Sequence, residues 1–395
     1  DFSEEGVQEV SNGSFSQEGS ELITNGDFAT DSDWAKNPNW TISGGKANCD
    51  GTSSAGLFQS NVTQDGITYS VTYTISNLTQ GGLTVNVGGT DGISRTLNGT
   101  YTEYITSGVT ISGRITFKAS SNAIGSIDNV SVREVGQDWT LGTGWSIGED
   151  KAVLTNVGYN INSTQANVTT IGQYYKVEFT ILDYLSGGIR ISLGGSATSI
   201  VSANGTYSFY IQATANNLVV LQPLDASGTN LSITNISVKE VGQNWNFTNV
   251  GGSNGWRIAN DRAICDAEGI NNGRNINSST TLVNGKTYKL TLDILQSVDG
   301  MNVLIGSTIL PNELPTGTNL GYEYYIDASQ HSGGLFSIYG GSSDLQEIDN
   351  ITIIEITDDT NLPRINYEGF SFQDALGSEL ISNGSFDSDD NWIKG

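Results

Sequence analysis

The chain repeats itself three times, and a repeat of this length and kind fixes the fold class before any other feature is weighed. Trp34, Trp40 and Lys46 in WAKNPNWTISGGKANC are matched by Trp139, Trp145 and Lys151 in WTLGTGWSIGEDKAVL. Trp245, Trp256 and Arg262 match them again, with five extra residues between the tryptophans. Each copy continues with a glycine, two residues and a tyrosine: Gly66/Tyr69, Gly172/Tyr175 and Gly285/Tyr288. The tyrosine opens a run of strict alternation. Tyr69, Val71, Tyr73 and Ile75 correspond to Tyr175, Val177, Phe179 and Ile181, and to Tyr288, Leu290, Leu292 and Ile294, with polar residues in most of the gaps. A period of two over this length is the mark of a half-buried strand.

The copies stay in step to their ends. GGLTVNVGG (81–89), GGIRISLGG (187–195) and DGMNVLIGS (299–307) each read as turn, strand, turn. NGTYTEYI, NGTYSFYI and LGYEYYI follow, and each copy closes on SIDNVSVREV, SITNISVKEV or EIDNITIIEI. No window carries helical periodicity. The expected fold is therefore all-β: three tandem jelly-roll β-sandwich domains, at 19–135, 136–241 and 242–358, with many short strands separated by Gly, Asn and Asp turns. The connections VGQDW and VGQNW are too short to be flexible linkers.

Charge narrows the function. Of 395 residues, 42 are acidic and 17 basic, a net charge of -25. Nucleic-acid binding needs Lys and Arg against phosphate, so it is excluded. Insertion into a membrane is excluded too, since no apolar run is long enough to span one. The opening DFSEEGVQEV lacks the basic start and apolar core of a signal peptide. An acidic exterior favours solubility and attracts divalent cations.

One phrase stands at both ends. GSELITNGDFATDSDW occupies 19–34 and GSELISNGSFDSDDNW occupies 377–392. Segments of the NGDF or NGSF type lie at 12–15, 25–28 and 383–386. Residues 1–18 thus read as an extended N-terminal segment, and 359–395 as a C-terminal one that begins the next repeat. Three readings stand side by side: strands that pair with the next subunit of a filament, a piece of a longer multidomain chain, or disordered tails.

The TNGDF stretch, the tryptophans, the WTISGG hairpin, the Gly-x-x-Tyr strand, the Gly-Thr-Tyr strand and the closing IDNVSV resemble the carbohydrate-binding-module jelly rolls of the family 4/9 type. They are similar in particular to tandem copies in structural and tail-fibre proteins of marine and freshwater bacteriophages and in bacterial surface filaments. The resemblance covers about 19–356 and implies a fold more firmly than a function. It implies a structural calcium held partly by the aspartate of the closing strand, here Asp128 and Asp349, with Thr234 in the second copy. Alternation puts those aspartates at the rim of an apolar face, where a carboxylate needs a cation or backbone N–H groups. The resemblance also implies glycan binding. Tyr101, Tyr207 and Tyr322 are the candidates, because the second tyrosine of each strand (Tyr104, Tyr210, Tyr325) makes it hard for both to face inward.

Other features carry less. The paired tryptophans read as packing residues. Cys49 and Cys265 hold one apolar strand position in different domains, out of reach of a disulfide. His331, the only histidine, sits in DASQHSGG, which reads as an exposed turn, so triads and zinc sites are poorly supplied. No enzyme is expected. Asn129, Asn235 and Asn350 carry an Asn-x-Ser/Thr triplet at one place in all three closing strands, the position for N-glycans on a secreted protein. The sequence points to a non-enzymatic structural subunit of an extracellular or virion-surface fibre, its partners other copies of itself, with glycan adhesion as the alternative.

Overall fold

Strand alternation becomes layered sheet in all three copies. The computed structural model describes residues 2–357 apart from 53, 55, 109–112, 248–254, 266–274, 299 and 341–344, together with the backbone pairing of Arg364–Ile365 with Ser371–Phe372. The C-terminal phrase at 377–392 lies outside the described residues. Domain 1 is a sandwich of two antiparallel five-stranded sheets. One runs Trp40–Ile42, Ala47–Asp50, Ile124–Val135, Thr68–Gln80, Gly99–Thr106. The other runs Ala35–Lys36, Gly56–Gln59, Ile115–Ala119, Leu83–Val87, Thr90–Asp91. Domain 3 repeats both sheets, and domain 2 repeats the first and four strands of the second.

The predicted inward rows line the cores. Tyr69, Val71, Tyr73 and Ile75 are buried, as are their counterparts in the other domains. Trp34, Trp40, Trp139, Trp145 and Trp256 are buried as well, and Cys49 and Cys265 are buried free thiols. The hairpins after the second tryptophan turn on residue pairs with φ near +60°: Gly44-Gly45, Glu149-Asp150 and Asn260-Asp261. Two-residue hairpins need that conformation because its twist matches the flanking strands. Among the described residues the helical content is one 3-10 turn, Ala328–Gln330, and no helix is long and apolar enough to cross a membrane.

Contacts gather the chain into two compact units. One is Glu5–Val241, holding domains 1 and 2; the other joins Asp1–Glu4 to Gly242–Gly395 and holds domain 3. Within the first unit, Tyr104 packs on the domain 2 core.

Three expectations are corrected. First, the closing strands do not alternate evenly. Asn129, Asn235 and Asn350 sit at φ +51°, +52° and +52°, and in domain 1 the register with the neighbouring strand slips between Asp128 and Ser131. This β-bulge resets the alternation. Ile127 and Val130 both face inward, so Asp128 does not share a face with Val130 and Val132. Second, His331 is not exposed but 6% accessible. Its Nδ1 accepts from the Gly333 amide, so Nε2 bears the proton and donates to the Lys286 carbonyl (2.9 Å). Third, the part of residues 1–18 that is described is no free extended segment, because it completes sheets and cores of its own chain.

The bulge carries a measurable cost. A left-handed conformation suits Asn and Gly but costs a β-branched residue about 1–2 kcal/mol. Chemical unfolding of Asn235→Val should show a loss of that size, while Asn235→Gly should stay within about 0.5 kcal/mol of the parent.

Candidate functional site

The N-terminal segment is a thread with a period of its own. Aligned on its phenylalanines, FSEEGVQEVSNGSF (2–15) matches FSQEGSELITNGDF (15–28), so that Phe2, Phe15 and Phe28 recur every thirteen residues. Each phenylalanine fills a different domain. Phe28 joins the domain 1 core, Phe15 the domain 2 core, and Phe2 is buried in domain 3. Each stacks on the first tryptophan of its domain: Phe28 on Trp34 at 5.2 Å, Phe15 on Trp139 at 5.4 Å and Phe2 on Trp245 at 5.5 Å.

The plug has a defined geometry in domains 1 and 2. Asn12 and Phe15 take φ +47° and +57°, and Asn25 and Phe28 take +54° and +48°. A phenylalanine in that region is strained, and its burial offsets the strain. The indole Nε1 of Trp139 donates to the Asn12 carbonyl (3.2 Å), as Trp34 does to Asn25 (3.0 Å). The glycine carbonyl accepts from the amide that follows the bulge: Ile236 N to Gly13 O at 2.9 Å, Val130 N to Gly26 O at 2.8 Å. Contact is so close that a Cβ on Gly13 would lie 1.9 Å from the Ile236 oxygen, and one on Gly26 2.0 Å from the Val130 oxygen. Only glycine fits, for steric reasons.

Upstream of each plug the thread runs along the closing strand. Glu5–Gln8 pairs antiparallel with Thr229–Val241, and Leu22 N donates to Val132 O. Where the bulge interrupts the ladder, a side chain replaces the missing acceptor. Gln8 Oε1 accepts from Val238 N (2.7 Å), and Glu21 Oε1 from Val132 N (2.8 Å). From the opposite sheet, Gln165 makes an amide pair with Ser11, and Gln59 one with Thr24. Val10 and Ile23 drop into the cores beside the plugs.

Charge fixes the thread further. Glu5 bridges Lys176 and Lys239, each at 2.7 Å, and their hydrogen bonds hold its carboxyl below the usual range. Burial pushes the Glu21 carboxyl up, but hydrogen bonds from Ser131, Val132 and Ile23 with the charge of Arg133 outweigh it and leave it lowered.

Domain 3 is the exception. Phe2 is fully buried and its amide meets Asp349 Oδ1 at 3.2 Å, yet little precedes it in the chain. A groove of about 500 Å³ opens beside it, lined by Trp245, Ser278, Phe336, Ile351 and Ile353 among others. Ser278 stands where domains 1 and 2 have Gln59 and Gln165. Trp245 is half-buried, and so are Ile351, Ile353 and Ile356. Their counterparts Val130, Val132, Val135, Ile236, Val238 and Val241 are all 6% accessible or less.

The residues singled out from the sequence have mostly structural partners. Tyr101 stacks on Tyr73 at 5.9 Å, lies under the Arg95 guanidinium and donates to the Leu97 carbonyl. Tyr207 stacks on Phe179 at 5.7 Å and donates to the Ala203 carbonyl. Tyr322 is half-buried opposite Leu292. The three lie in three separate domains and make no common surface. Asp128 accepts from the Asn129 amide and Asp349 from Phe2. Among the described residues no three His, Cys, Asp or Glu converge as a metal site. Thr234, the counterpart of the two aspartates, reaches the Ser14 and Asp150 carbonyls. Asn129, Asn235 and Asn350 are exposed, and Asn350 Nδ2 donates to Asp293.

No protein-family profile matches the chain, and no curated protein does. Solved structures give distant likenesses. One is the N-terminal CBM22-1–CBM22-2 tandem domain of Paenibacillus barcinonensis Xyn10C, 11% identical, covering 57% of this chain and 99% of that one, TM-score 0.24. A Sulfolobus Turreted Icosahedral Virus structure is 12% identical over 82% of this chain and 90% of that one, TM-score 0.20. A structure described as the triple jelly roll fold and turret assembly in an archaeal virus is 13% identical over 82% and 89%, TM-score 0.20. They are similarities only.

The plug geometry predicts two outcomes. Gly13→Ala should destabilise domain 2 by about 1–3 kcal/mol, the usual cost of overpacking, and chemical unfolding measures it. Glu5, with its pKa lowered in the folded state, stabilises the thread above the ordinary carboxylate pKa of 4.5, and that contribution disappears as pH falls through the folded value. Glu5→Gln should thus cost about 0.5–1 kcal/mol at neutral pH, the screened range for exposed pairs, and nothing in strong acid.

Proposed function

We propose that this chain is a structural, non-enzymatic building block that self-associates into an extracellular or virion-surface fibre. The observation carrying this reading is the thread: domains completed by short segments from outside their own contiguous sequence, through one reusable plug. A sheet edge completed by a separable segment can be completed by another molecule's segment equally well. Other features agree. The aromatic and acidic residues that a ligand site would use are engaged in packing and backbone hydrogen bonds. The net charge of -25 would disfavour unspecific clumping between copies. Electron microscopy of the purified chain tests the reading: concentration-dependent filaments are expected, and dispersed single particles at every concentration would refute it.

A calcium role belongs to the same proposal. In domain 2 the Thr234 hydroxyl meets two backbone carbonyls, Ser14 and Asp150. The matching positions in domain 1 are Asp128, Asp27 and Gly45, a carboxylate and two carbonyls, the all-oxygen donors that calcium takes. Asp128 and these carbonyls would hold the ion and tie plug to hairpin. Calcium should then raise the thermal midpoint of the parent chain and leave Asp128→Asn unchanged; equal response in both would remove the proposal.

A further inference from the structure

The open groove of domain 3 and the unused copy of the plug sequence fit each other. We infer that residues 377–386 of a second copy dock along Gln346–Ile356 of domain 3; this rests on the self-assembly reading above and names the joint. The acceptor is visibly incomplete. Ile351, Ile353 and Ile356 are half-exposed where both other domains bury the equivalent side chains, and the groove of about 500 Å³ lies beside them. A strand edge with a bulge and exposed isoleucines is a template for pairing.

The occupant is specified by chemistry. In domain 1 the equivalent edge takes GSELITNGDF (19–28), and GSELISNGSF (377–386) differs from it only at Ser382 and Ser385. Each contact then has a donor-side counterpart. Glu379 matches Glu21, whose carboxylate caps the amide after the bulge. Ile381 matches Ile23, which fills the core beside the plug. Gly384 matches Gly26, whose carbonyl accepts from the closing strand at a distance no Cβ allows. Phe386 matches Phe28 and would take the place that Phe2 holds against Trp245. The exchange favours the incoming segment. Phe2 enters without a preceding strand, whereas 377–386 brings the aromatic ring together with a backbone ladder and the apolar Leu380 and Ile381. Ser278, in place of the domain 1 and 2 glutamines, leaves the groove room. The donor's Trp392 has no part in this docking, because Trp245 already occupies the tryptophan position.

Sedimentation velocity of the full chain over a wide concentration range tests the joint. The parent should form concentration-dependent oligomers. Gly384→Ala and Ile381→Asp, both in the donor segment and away from the described cores, should lose them. A synthetic peptide of residues 377–386 should dissociate parent oligomers, and the same peptide with alanine at 384 should not. Oligomers unaffected by both variants and by the peptide would overturn this joint while leaving self-assembly intact. A parent that is monomeric throughout overturns both, and if Gly384→Ala also lowers its unfolding midpoint, the occupant of the groove is its own C-terminal segment.

Discussion

One hydrogen bond organises each of the first two domains: the amide just past the bulge of the closing strand donating to a glycine carbonyl of the thread. Val130 to Gly26 and Ile236 to Gly13 are the two instances. The bulge frees that amide from the sheet ladder, and a buried amide must be satisfied. It also turns the closing strand, so that its second half faces a segment outside the contiguous domain. The plug answers both needs. It supplies the acceptor, and it seats a phenylalanine on the domain's first tryptophan.

The energetic division follows from burial. Phe15, Val10 and Gln8 in domain 2, and Phe28, Ile23 and Glu21 in domain 1, are the side chains through which the thread acts. The apolar ones supply most of the free energy, since a buried phenylalanine or valine is worth about 1.5–3 kcal/mol. Gln8 and Glu21 supply register, each filling the gap the bulge leaves. In domain 3 the aromatic anchor is present without its strand, and the exposure of Ile351 and Ile353 is the consequence.

Much of this was legible in the sequence. Alternation from Tyr69, Tyr175 and Tyr288 gave the central strands, and the recurrence of the tryptophans gave their packing. Cys49 and Cys265 followed from equivalence to Leu154. The failures share a cause: each needed a contact distant in sequence. Parity carried across Asn129 put Asp128 on the wrong face, because one extra residue in a bulge inverts it. Polar neighbours made His331 read as exposed, whereas backbone groups of Lys286 and Gly333 satisfy both ring nitrogens. The thread was missed although its signal was present, since FSEEG and FSQEG recur thirteen residues apart. What a one-dimensional reading lacked was the reason for three phenylalanines ahead of the first full domain.

Removing residues 1–18 and following amide exchange strand by strand addresses the central claim most directly, that the thread completes domain 2 while domain 1 keeps its own plug. The account predicts that protection collapses along Thr229–Val241, around Ile236 and Val238, and persists along Ile124–Val135. Equal protection of both strands in the shortened chain would contradict it.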